Sequence, residues 1–367
     1  MPAFRGRPPY LMSEMIAAEP ALAERLVHRL SRDEDLERLA SVLRETAAAG
    51  RPIVTTGCGT SEHAAMALAA LLNEALDLPT GADVRSIQAL DALVRPVADG
   101  ILIAVSHEGG TQMTNAAVGA ARDAGARTAL ITVGGGSPGA ELAEIVVRTE
   151  EQDQSWCHTV GYLSPILAGV VTAARLARTR IDALAIRALL DGADDPHPAA
   201  SIASALAGSD RLIVAGAGVD HVSARELALK VVEGARMPAA AIETETLLHG
   251  HLAAATRWTG LLLILSTPGH LDGPIRERSA HLLSAARALA VPAAAILSAE
   301  VATSLPAEET PAGRIVLPRV SRVQGAAGSL LGSAIALQLL AERLARARGV
   351  NPDTIGREDP AQAAAHT

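Results

Sequence analysis

The sequence predicts an α/β protein built from two doubly wound parallel sheets in tandem. Short apolar runs appear in the first half and return about 160 residues later: IVTTGCGT at 53–60 returns as LIVAGAGV at 212–219, and ILIAVS at 101–106 as LLLILS at 261–266. Continuous apolar runs separated by helical stretches are typical of parallel strands buried on both faces. At roughly 150 residues per domain, a chain of 367 residues has room for two such domains.

Further runs and intervening helices complete each half. TALITV at 128–133 has its counterpart in AAAIL at 293–297, and each run is followed by a helical pattern. The predicted helices cover 11–30, 34–48, 61–76, 112–124, 161–178, 220–235, 275–290 and 324–348.

Turn formers and charges mark the joint between the halves at GADDPHP, 192–198. We therefore expect an N-terminal helical segment over 1–50, a first domain over 51–195 and a second domain over 196–350. The tail, 351–367, is polar and contains proline, so we expect it to be irregular.

Composition excludes several classes of protein. A net charge of −8 and five aromatic residues argue against a nucleic-acid binder, which needs a basic face and stacking rings. Two cysteines make no disulfide framework, which indicates a reducing compartment such as the cytoplasm. The N-terminus lacks the apolar core of a signal peptide, and no uncharged apolar run reaches the length of a membrane span. No metal or organic cofactor is expected.

Two glycine-bearing turns follow strands of the first half. Gly57-Cys58-Gly59-Thr60-Ser61 follows the first strand, and Ser106-His107-Glu108-Gly109-Gly110-Thr111 follows the second. Ligands of open α/β sheets lie beyond the carboxyl ends of strands, where helix N-termini and hydroxyls favour an anion. The alternative is that glycine permits a tight turn and Ser or Thr caps a helix. The second half lacks this cluster of hydroxyls, so we expect the anion site in the first half.

One helix carries the single lysine of the chain. Lys230 is the one lysine among 32 basic residues, and it shares a helical face with Glu226 and Glu233, at spacings of four and three. Such spacing is ordinarily explained by a row of solvent-exposed charged residues on one helix face that forms a surface ion pair. Since this chain otherwise uses arginine, lysine here suggests chemistry instead: a buried lysine can lose its proton, and a nearby carboxylate can carry one.

Two histidines follow in the same half. His249 and His251 lack a third ligand at a metal spacing, so a metal site is weakly indicated. A loop histidine near a sugar can pass protons close to neutral pH, and a plain surface residue is the alternative.

These residues together resemble the isomerase half of glutamine–fructose-6-phosphate aminotransferases, which consists of two SIS (sugar isomerase) domains. Cys58-Gly59-Thr60-Ser61 matches the family's C-G-T-S turn, and Ser106 to Thr111 stands at its S-Q-S-G-E-T phosphate loop. Glu226-x-x-Leu229-Lys230-x-x-Glu233 matches its E-x-x-L-K-x-x-E helix. The resemblance extends from Met12 to Asp353.

The resemblance implies roles for these residues. Glu233 would move the proton between C1 and C2 of an open-chain sugar, and Lys230 would help to move protons on the adjacent oxygens. His249 would assist ring opening from the neighbouring subunit of a homodimer. The phosphate and nearby hydroxyls would be bound by residues of the two turns, namely Gly59, Thr60, Ser61, Ser106, His107 and Thr111.

The sequence departs from that family at four places. It has no glutaminase domain, and its tail lacks the lysine that forms an imine with the ketose. Glu108 replaces the second loop serine, so either this carboxylate points away or the far end of the substrate is not an ordinary phosphate. Ser155-Trp156-Cys157-His158-Thr159 stands in place of G-V-A-S-T, which suggests that Trp156 reshapes the sugar wall.

The sequence therefore favours a cytoplasmic, dimeric sugar phosphate aldose–ketose isomerase, or its deaminating form, with a small-molecule substrate and neither nucleic acid nor membrane as partner. Two alternatives remain open at this stage. One is a sugar-phosphate sensor without catalysis, and the other is the synthase half of a two-protein amidotransferase that receives ammonia from a partner.

Overall fold

Two five-stranded parallel sheets with helices on their faces form the structure. The computed structural model describes residues 4–267, 273–319 and 322–365. The first sheet contains β1 (Ile53–Gly57), β2 (Val84–Gln88), β3 (Ile101–Val105), β4 (Arg127–Thr132) and β5 (Ile145–Arg148). The second contains β6 (Arg211–Gly216), β7 (Ala239–Glu243), β8 (Thr259–Leu265), β9 (Ala293–Ser298) and β10 (Gly313–Leu317). The predicted fold class is confirmed.

The helices alternate with the strands along the chain. Those up to β5 are α1 (Leu11–Leu30), α2 (Glu34–Ala48), α3 (Thr60–Ala75), α4 (Ala89–Val94), α5 (Gln112–Asp123) and α6 (Pro138–Leu142). Between β5 and β8 lie α7 (Val160–Leu176), α8 (Ala183–Ala193), α9 (Pro196–Leu206), α10 (Val219–Ala235) and α11 (Thr244–Leu248). The last are α12 (Pro274–Ala288), α13 (Ala299–Ser304), α14 (Gly325–Ala347) and α15 (Pro360–Ala365).

Both sheets have the same strand order. The first is β2-β1-β3-β4-β5, and the second is β7-β6-β8-β9-β10, with every pair parallel. In this doubly wound arrangement the chain changes direction across the sheet between the first and third strands of the series. The carboxyl ends of β1 and β3, and of β6 and β8, therefore border the crevice in which ligands of such sheets bind.

The central strands were predictable and the edge strands were not. β1, β3, β8 and β9 are buried at every residue, so they read as continuous apolar runs. By contrast, β2 buries only Val84, and no residue of β7 is buried. The edge strands β2, β5, β7 and β10 were missed, because their apolar runs are short or, in β2, interrupted by polar residues.

The predicted long helices are confirmed to within two residues at each end. The missed helices are short or begin at turn formers: α9 starts at Pro196, with the Asp195 side chain accepting a hydrogen bond from the His197 amide. The predicted joint at 192–198 thus contains a helix start. The tail, expected to be irregular, contains a 3-10 turn at Pro352–Thr354 and the helix α15.

The chain divides into two compact units. The β1–β5 unit comprises residues 20–152 and 160–187, and the β6–β10 unit comprises 1–19, 153–159 and 188–367. Segments from both termini and one short loop thus complete the β6–β10 unit. The four domain ranges expected from the sequence stay a prediction.

One helix is long and apolar enough to cross a membrane by length and composition alone. α14 has 23 residues, and its most apolar window has a mean hydropathy of 1.3. That window is 83% buried within the protein, which is the environment of a core helix. Helices of this kind in water-soluble proteins pass the same test, so α14 is weak evidence for a membrane.

A carboxylate from the tail caps the first helix. The buried Asp353 accepts hydrogen bonds from the backbone amides of Leu11 and Met12, both at 2.9 Å. Amides at a helix start have no partner within the helix, so this carboxylate satisfies donors that would otherwise be buried and unpaired.

Replacing Asp353 with alanine should therefore destabilise the protein by about 2–4 kcal/mol, because two charge-assisted hydrogen bonds are lost in a buried place. Urea unfolding followed by circular dichroism measures the loss. Asp33→Ala is the matched control, since Asp33 caps α2 with one bond to the Leu36 amide in a half-buried place and should cost about 1 kcal/mol. An equal loss in both variants would contradict this account.

Candidate functional site

The turn after β1 brings helix α3 to the carboxyl edge of the first sheet. A Cβ on Gly57 would lie 2.5 Å from the backbone carbonyl of Ser61, so this position admits only glycine. Gly59 has φ +58°, in the left-handed region, and begins α3 without a side-chain cap. The turn thus presents the first amides of α3, together with Thr60 and Ser61, at the strand end.

The turn after β3 lies beside it, because β1 and β3 are neighbours in the sheet. The buried hydroxyl of Ser106 donates to that of Thr111 (3.3 Å), and the Thr111 side chain makes no capping bond to α5. The backbone carbonyl of His107 accepts bonds from the Val133 amide and the Thr132 hydroxyl, which fixes the loop. In α5, the Thr114 hydroxyl lies 3.6 Å from the Cys58 sulfur and joins the two turns.

The carboxylate of Glu108 is exposed and does not join this group of hydroxyls. It accepts a hydrogen bond from the side-chain amide of Gln152 at 2.6 Å. Glu108 thus has a side-chain partner, Gln152, outside the group of hydroxyls.

In the β6–β10 unit, α10 holds a buried cation between two carboxylates. The Lys230 ammonium lies 2.9 Å from Glu233 and 3.4 Å from Glu226. Lys230 and Glu226 have exposed fractions of 0%, whereas 24% of the Glu233 side chain is exposed. Glu226, Lys230 and Glu233 share one helix face, as predicted. The alternative of a solvent-exposed row of charges is wrong, because Lys230 and Glu226 are fully buried. Glu233 is the one member of this triad through which solvent reaches the cluster.

The two carboxylates hold the lysine in its charged form. Burial by itself lowers the pKa of Lys230, but the charges of Glu226 and Glu233 outweigh burial and raise that pKa well above its ordinary value. The expectation that burial lets this lysine lose its proton is therefore wrong. Lys230 can donate hydrogen bonds and stabilise negative charge, and Glu233 is the group able to accept a proton.

A structured loop packs against this cluster. Residues 153–159 are tied internally, with the buried Asp153 accepting bonds from the amide and hydroxyl of Thr159. Cys157 of this loop is fully buried beside α10, where a Cβ on Gly234 would lie 3.4 Å from its sulfur. Burial raises the pKa of the Cys157 thiol well above its ordinary value, with the Lys230 charge opposing this effect. Cys157 is thus a neutral wall of the cluster.

Trp156 lies between the two ends of the chain. Its ring contacts Phe4 edge-on at 5.1 Å, and the Arg357 guanidinium lies 4.3 Å from the ring centroid. Its backbone amide donates to the carbonyl of Asp353 at 3.0 Å. The sequence indicated Trp156 as a wall residue but gave no sign of these partners, which are more than 150 residues away in the chain.

His249 lies apart from the Lys230 cluster. It follows α11, 71% of its side chain is exposed, and its Nε2 lies 2.8 Å from Glu245. Glu245 in turn pairs with Arg278 at 2.7 Å. None of the contacts recorded over residues 4–267, 273–319 and 322–365 joins His249 to Glu226, Lys230 or Glu233.

At the carboxyl ends of β6 and β8, a carboxylate of the chain itself bonds the neighbouring strand end. Gly218 repeats the backbone of Gly59, with φ +57°, and begins α10 beyond β6. There the buried Asp220 accepts bonds from the amide of Ser266 (3.1 Å) and from its hydroxyl. Asp220 thus lies two residues after Gly218, the position that corresponds to Ser61 after Gly59 in the first sheet. Sequence reasoning missed this role of Asp220.

A search for metal ligands gave no candidate. In the part of the chain that the structure describes, no group of three or more His, Cys, Asp or Glu side chains is arranged to hold a metal ion.

Comparisons with known proteins agree with this arrangement. Residues 48–176 match the family model of the SIS domain, and the match ends before the second sheet. The chain is 29% identical over 310 residues to glutamine–fructose-6-phosphate aminotransferase (isomerizing) of Symbiobacterium thermophilum, an alignment that covers 78% of this chain and 50% of that protein. The chain thus spans about half the length of this curated relative.

Solved structures show the same fold. The C-terminal domain of glucosamine-fructose-6-phosphate aminotransferase from Francisella tularensis superposes with a TM-score of 0.80 at 18% identity, covering 96% of this chain and 99% of that one. Tagatose-6-phosphate ketose/aldose isomerase from Escherichia coli superposes with a TM-score of 0.74 at 19% identity, covering 97% of both chains. The fold of the chain, with both sheets, is therefore the fold of these two structures.

Asp220 should make stability depend on pH. Burial raises its pKa to about 6, against the opposing bonds from Ser266 and Thr267. A folded pKa above the unfolded value means that the native state binds the proton more tightly. The stability contribution of Asp220 is therefore greatest below pH 4 and falls by about 3 kcal/mol as pH rises through 6.

Asp220→Asn removes this titration. The free energy of unfolding of the wild type minus that of the variant should fall by about 3 kcal/mol between pH 4 and pH 7. Urea unfolding of both proteins at four pH values across this range measures the difference. A difference that stays constant with pH would show that this carboxylate does not titrate as described.

Proposed function

We propose that the protein is a sugar phosphate aldose–ketose isomerase, or its deaminating form, which works through an enediol or enediolamine intermediate. The observation that carries the proposal is the buried Glu226–Lys230–Glu233 triad, in which Glu233 alone is partly exposed. A carboxylate beside a permanently charged ammonium is the combination that a proton transfer at carbon requires.

The proposed chemistry is proton transfer between neighbouring carbons. Glu233 takes the proton from C2 of the open-chain aldose and returns it to C1, and the hydroxyl proton on the C2 oxygen passes to the C1 oxygen by way of the enediol. Lys230 stays protonated and stabilises the negative charge that develops on the adjacent oxygen. In the deaminating form, the same transfer converts a 2-amino sugar into a ketimine, which water hydrolyses to the ketose and ammonia.

Phosphate recognition is assigned to the turns of the β1–β5 unit. Thr60, Ser61, Ser106 and Thr111 lie at one edge of the sheet beside two helix starts that no side chain caps. His107 and Gly59 shape the same turns through their backbones. Hydroxyls and helix amides at the strand-order reversal of a parallel sheet suit a dianionic phosphate. Glu108 is left out of this role because it pairs with Gln152.

Three further features belong to the proposal. The second sheet is the second SIS domain of a tandem, as its strand order and its Gly218 turn suggest. The protein acts as a homodimer in the cytoplasm, where the exposed His249 reaches the site of the neighbouring subunit and assists ring opening. Trp156 forms part of the sugar wall beside Cys157.

Glu233→Gln tests the proton transfer. The change keeps the hydrogen-bonding shape but cannot accept a proton, so kcat should fall by about a hundredfold to ten-thousandfold. Purified protein is incubated with glucosamine-6-phosphate, hexose 6-phosphates and ketosamine 6-phosphates, and products are followed by NMR. In deuterated water, the wild type should also exchange the hydrogen on C1 or C2.

A matched control is Glu309→Gln, which removes a carboxylate paired with Arg287 at 3.2 Å outside the proposed site. It should leave kcat unchanged. Turnover of no substrate, or full activity of Glu233→Gln, would refute the proposal. Binding without turnover would instead support a sensor, and a requirement for added ammonium would support the synthase half of an amidotransferase.

Ser61→Ala tests the phosphate site. Losing one hydroxyl bonded to a dianion should raise KM about tenfold or more and leave kcat nearly unchanged, because the phosphate is bound equally in the ground and transition states. Ser41→Ala on α2, whose hydroxyl contacts Glu45 at 3.2 Å, is the control. Steady-state kinetics and the inhibition constant of inorganic phosphate measure the effect. If both variants bind phosphate as the wild type does, the site lies elsewhere.

A further inference from the structure

We infer that Arg357 binds a carboxylate that the substrate carries in addition to its phosphate, and so determines specificity. The inference rests on the proposed function and names the substrate class more closely: a sugar phosphate whose amino group bears an acidic substituent. Three observations support it, namely an unused guanidinium, its fixed orientation and its place beside α10.

The guanidinium of Arg357 has no acidic partner of its own. Within the ranges that the structure describes, the side chain of Arg357 makes no hydrogen bond and no ion pair. The residue is half-buried, and its Nε atom is buried without a hydrogen-bond acceptor. The neighbouring Glu358 is engaged with Arg236 at 3.3 Å and does not neutralise it. A partly buried guanidinium with unsatisfied donors is the usual receptor for a planar oxyanion.

The guanidinium of Arg357 lies over the ring of Trp156, which orients it. The ring lies 4.3 Å beneath it, held in turn by the edge of Phe4 and by the backbone bond to Asp353. An arginine held over an indole ring can still donate through its N–H groups to an oxyanion. The arginine is thus preorganised to bind a carboxylate through two parallel bonds.

The tail that carries Arg357 packs along the last turn of α10, directly after Glu233. A Cβ on Gly234 would lie 3.3 Å from Pro352 and 3.4 Å from Cys157, the neighbour of Trp156. Gly356 lies against the guanidinium of Arg236, where a Cβ would come within 2.3 Å. Arg357 is therefore at the end of the helix where the proposed base is exposed.

The charge of the triad makes a further cation necessary for an acidic substrate. Glu226 and Glu233 place two negative charges against the single positive charge of Lys230. A substrate carboxylate arriving near this triad is repelled unless a further cation meets it, and Arg357 is such a cation.

Binding of two ligands that differ in one carboxylate tests the inference. The ketosamine 6-phosphate of fructose with glycine carries the carboxylate, and that with methylamine lacks it. In the Glu233→Gln background, where neither is consumed, isothermal titration calorimetry should show about tenfold to a hundredfold tighter binding of the glycine adduct. Adding Arg357→Gln should abolish this preference, and Arg357→Lys should retain part of it.

The second arginine–tryptophan stack of the chain provides the matched control. Arg257 lies 5.0 Å from the ring centroid of Trp258 on the exposed surface, so Arg257→Gln removes a similar stack and should preserve the preference. Thermal unfolding of each variant checks that folding is intact.

Each remaining outcome overturns the inference. Equal binding of the two adducts, or binding of neither, excludes a carboxylate receptor. An equal loss for both adducts in Arg357→Gln assigns the residue to the phosphate or to structure. Failure of the proposed function is recognised separately, because Glu233→Gln is assayed with hexose phosphates that have no carboxylate.

Discussion

The buried ammonium of Lys230 is the constraint on which the rest of the β6–β10 unit depends. An isolated charge in the interior is strongly unfavourable, and removing one partner of a buried pair typically costs about 3–5 kcal/mol. The spacing of three and four residues lets Glu226 and Glu233 reach one small ammonium from the same helix. A planar guanidinium needs its donors satisfied in a wide fork, which this narrow space between two turns of helix does not offer. The chain's single departure from arginine thus has a physical reason.

The two sheets show how one backbone arrangement acquires different roles. Gly59 and Gly218 have the same left-handed conformation, and each begins a helix beside the third strand of its sheet. In the first sheet the space between the turns is lined by hydroxyls and uncapped amides. In the second, the buried Asp220 accepts hydrogen bonds from the amide and hydroxyl of Ser266. The same backbone turn thus presents a hydroxyl in one sheet and a carboxylate in the other.

Much of this could be predicted from residue patterns, and the remainder depends on contacts distant in sequence. Fully buried central strands leave continuous apolar runs, and helices leave patterns with helical spacing. The strands β3 and β8 and the helix α10 were therefore found. The shared face of the triad follows from helical geometry, but its burial does not, and burial determines that Lys230 stays charged. Edge strands such as β7 are partly exposed, and their short apolar runs are not distinctive. The packing of Trp156 against both chain ends leaves no local signal at all.

Asp353 links these distant parts. Its carboxylate caps α1 through Leu11 and Met12, while its backbone carbonyl accepts the bond from the Trp156 amide. The loop held in this way carries Cys157, which closes the apolar side of the Lys230 cluster. One buried turn of the tail therefore contributes both to the stability of the first helix and to the dryness of the charged triad. Because burial by itself disfavours the ammonium, the charge of Lys230 in this place depends on Glu226 and Glu233.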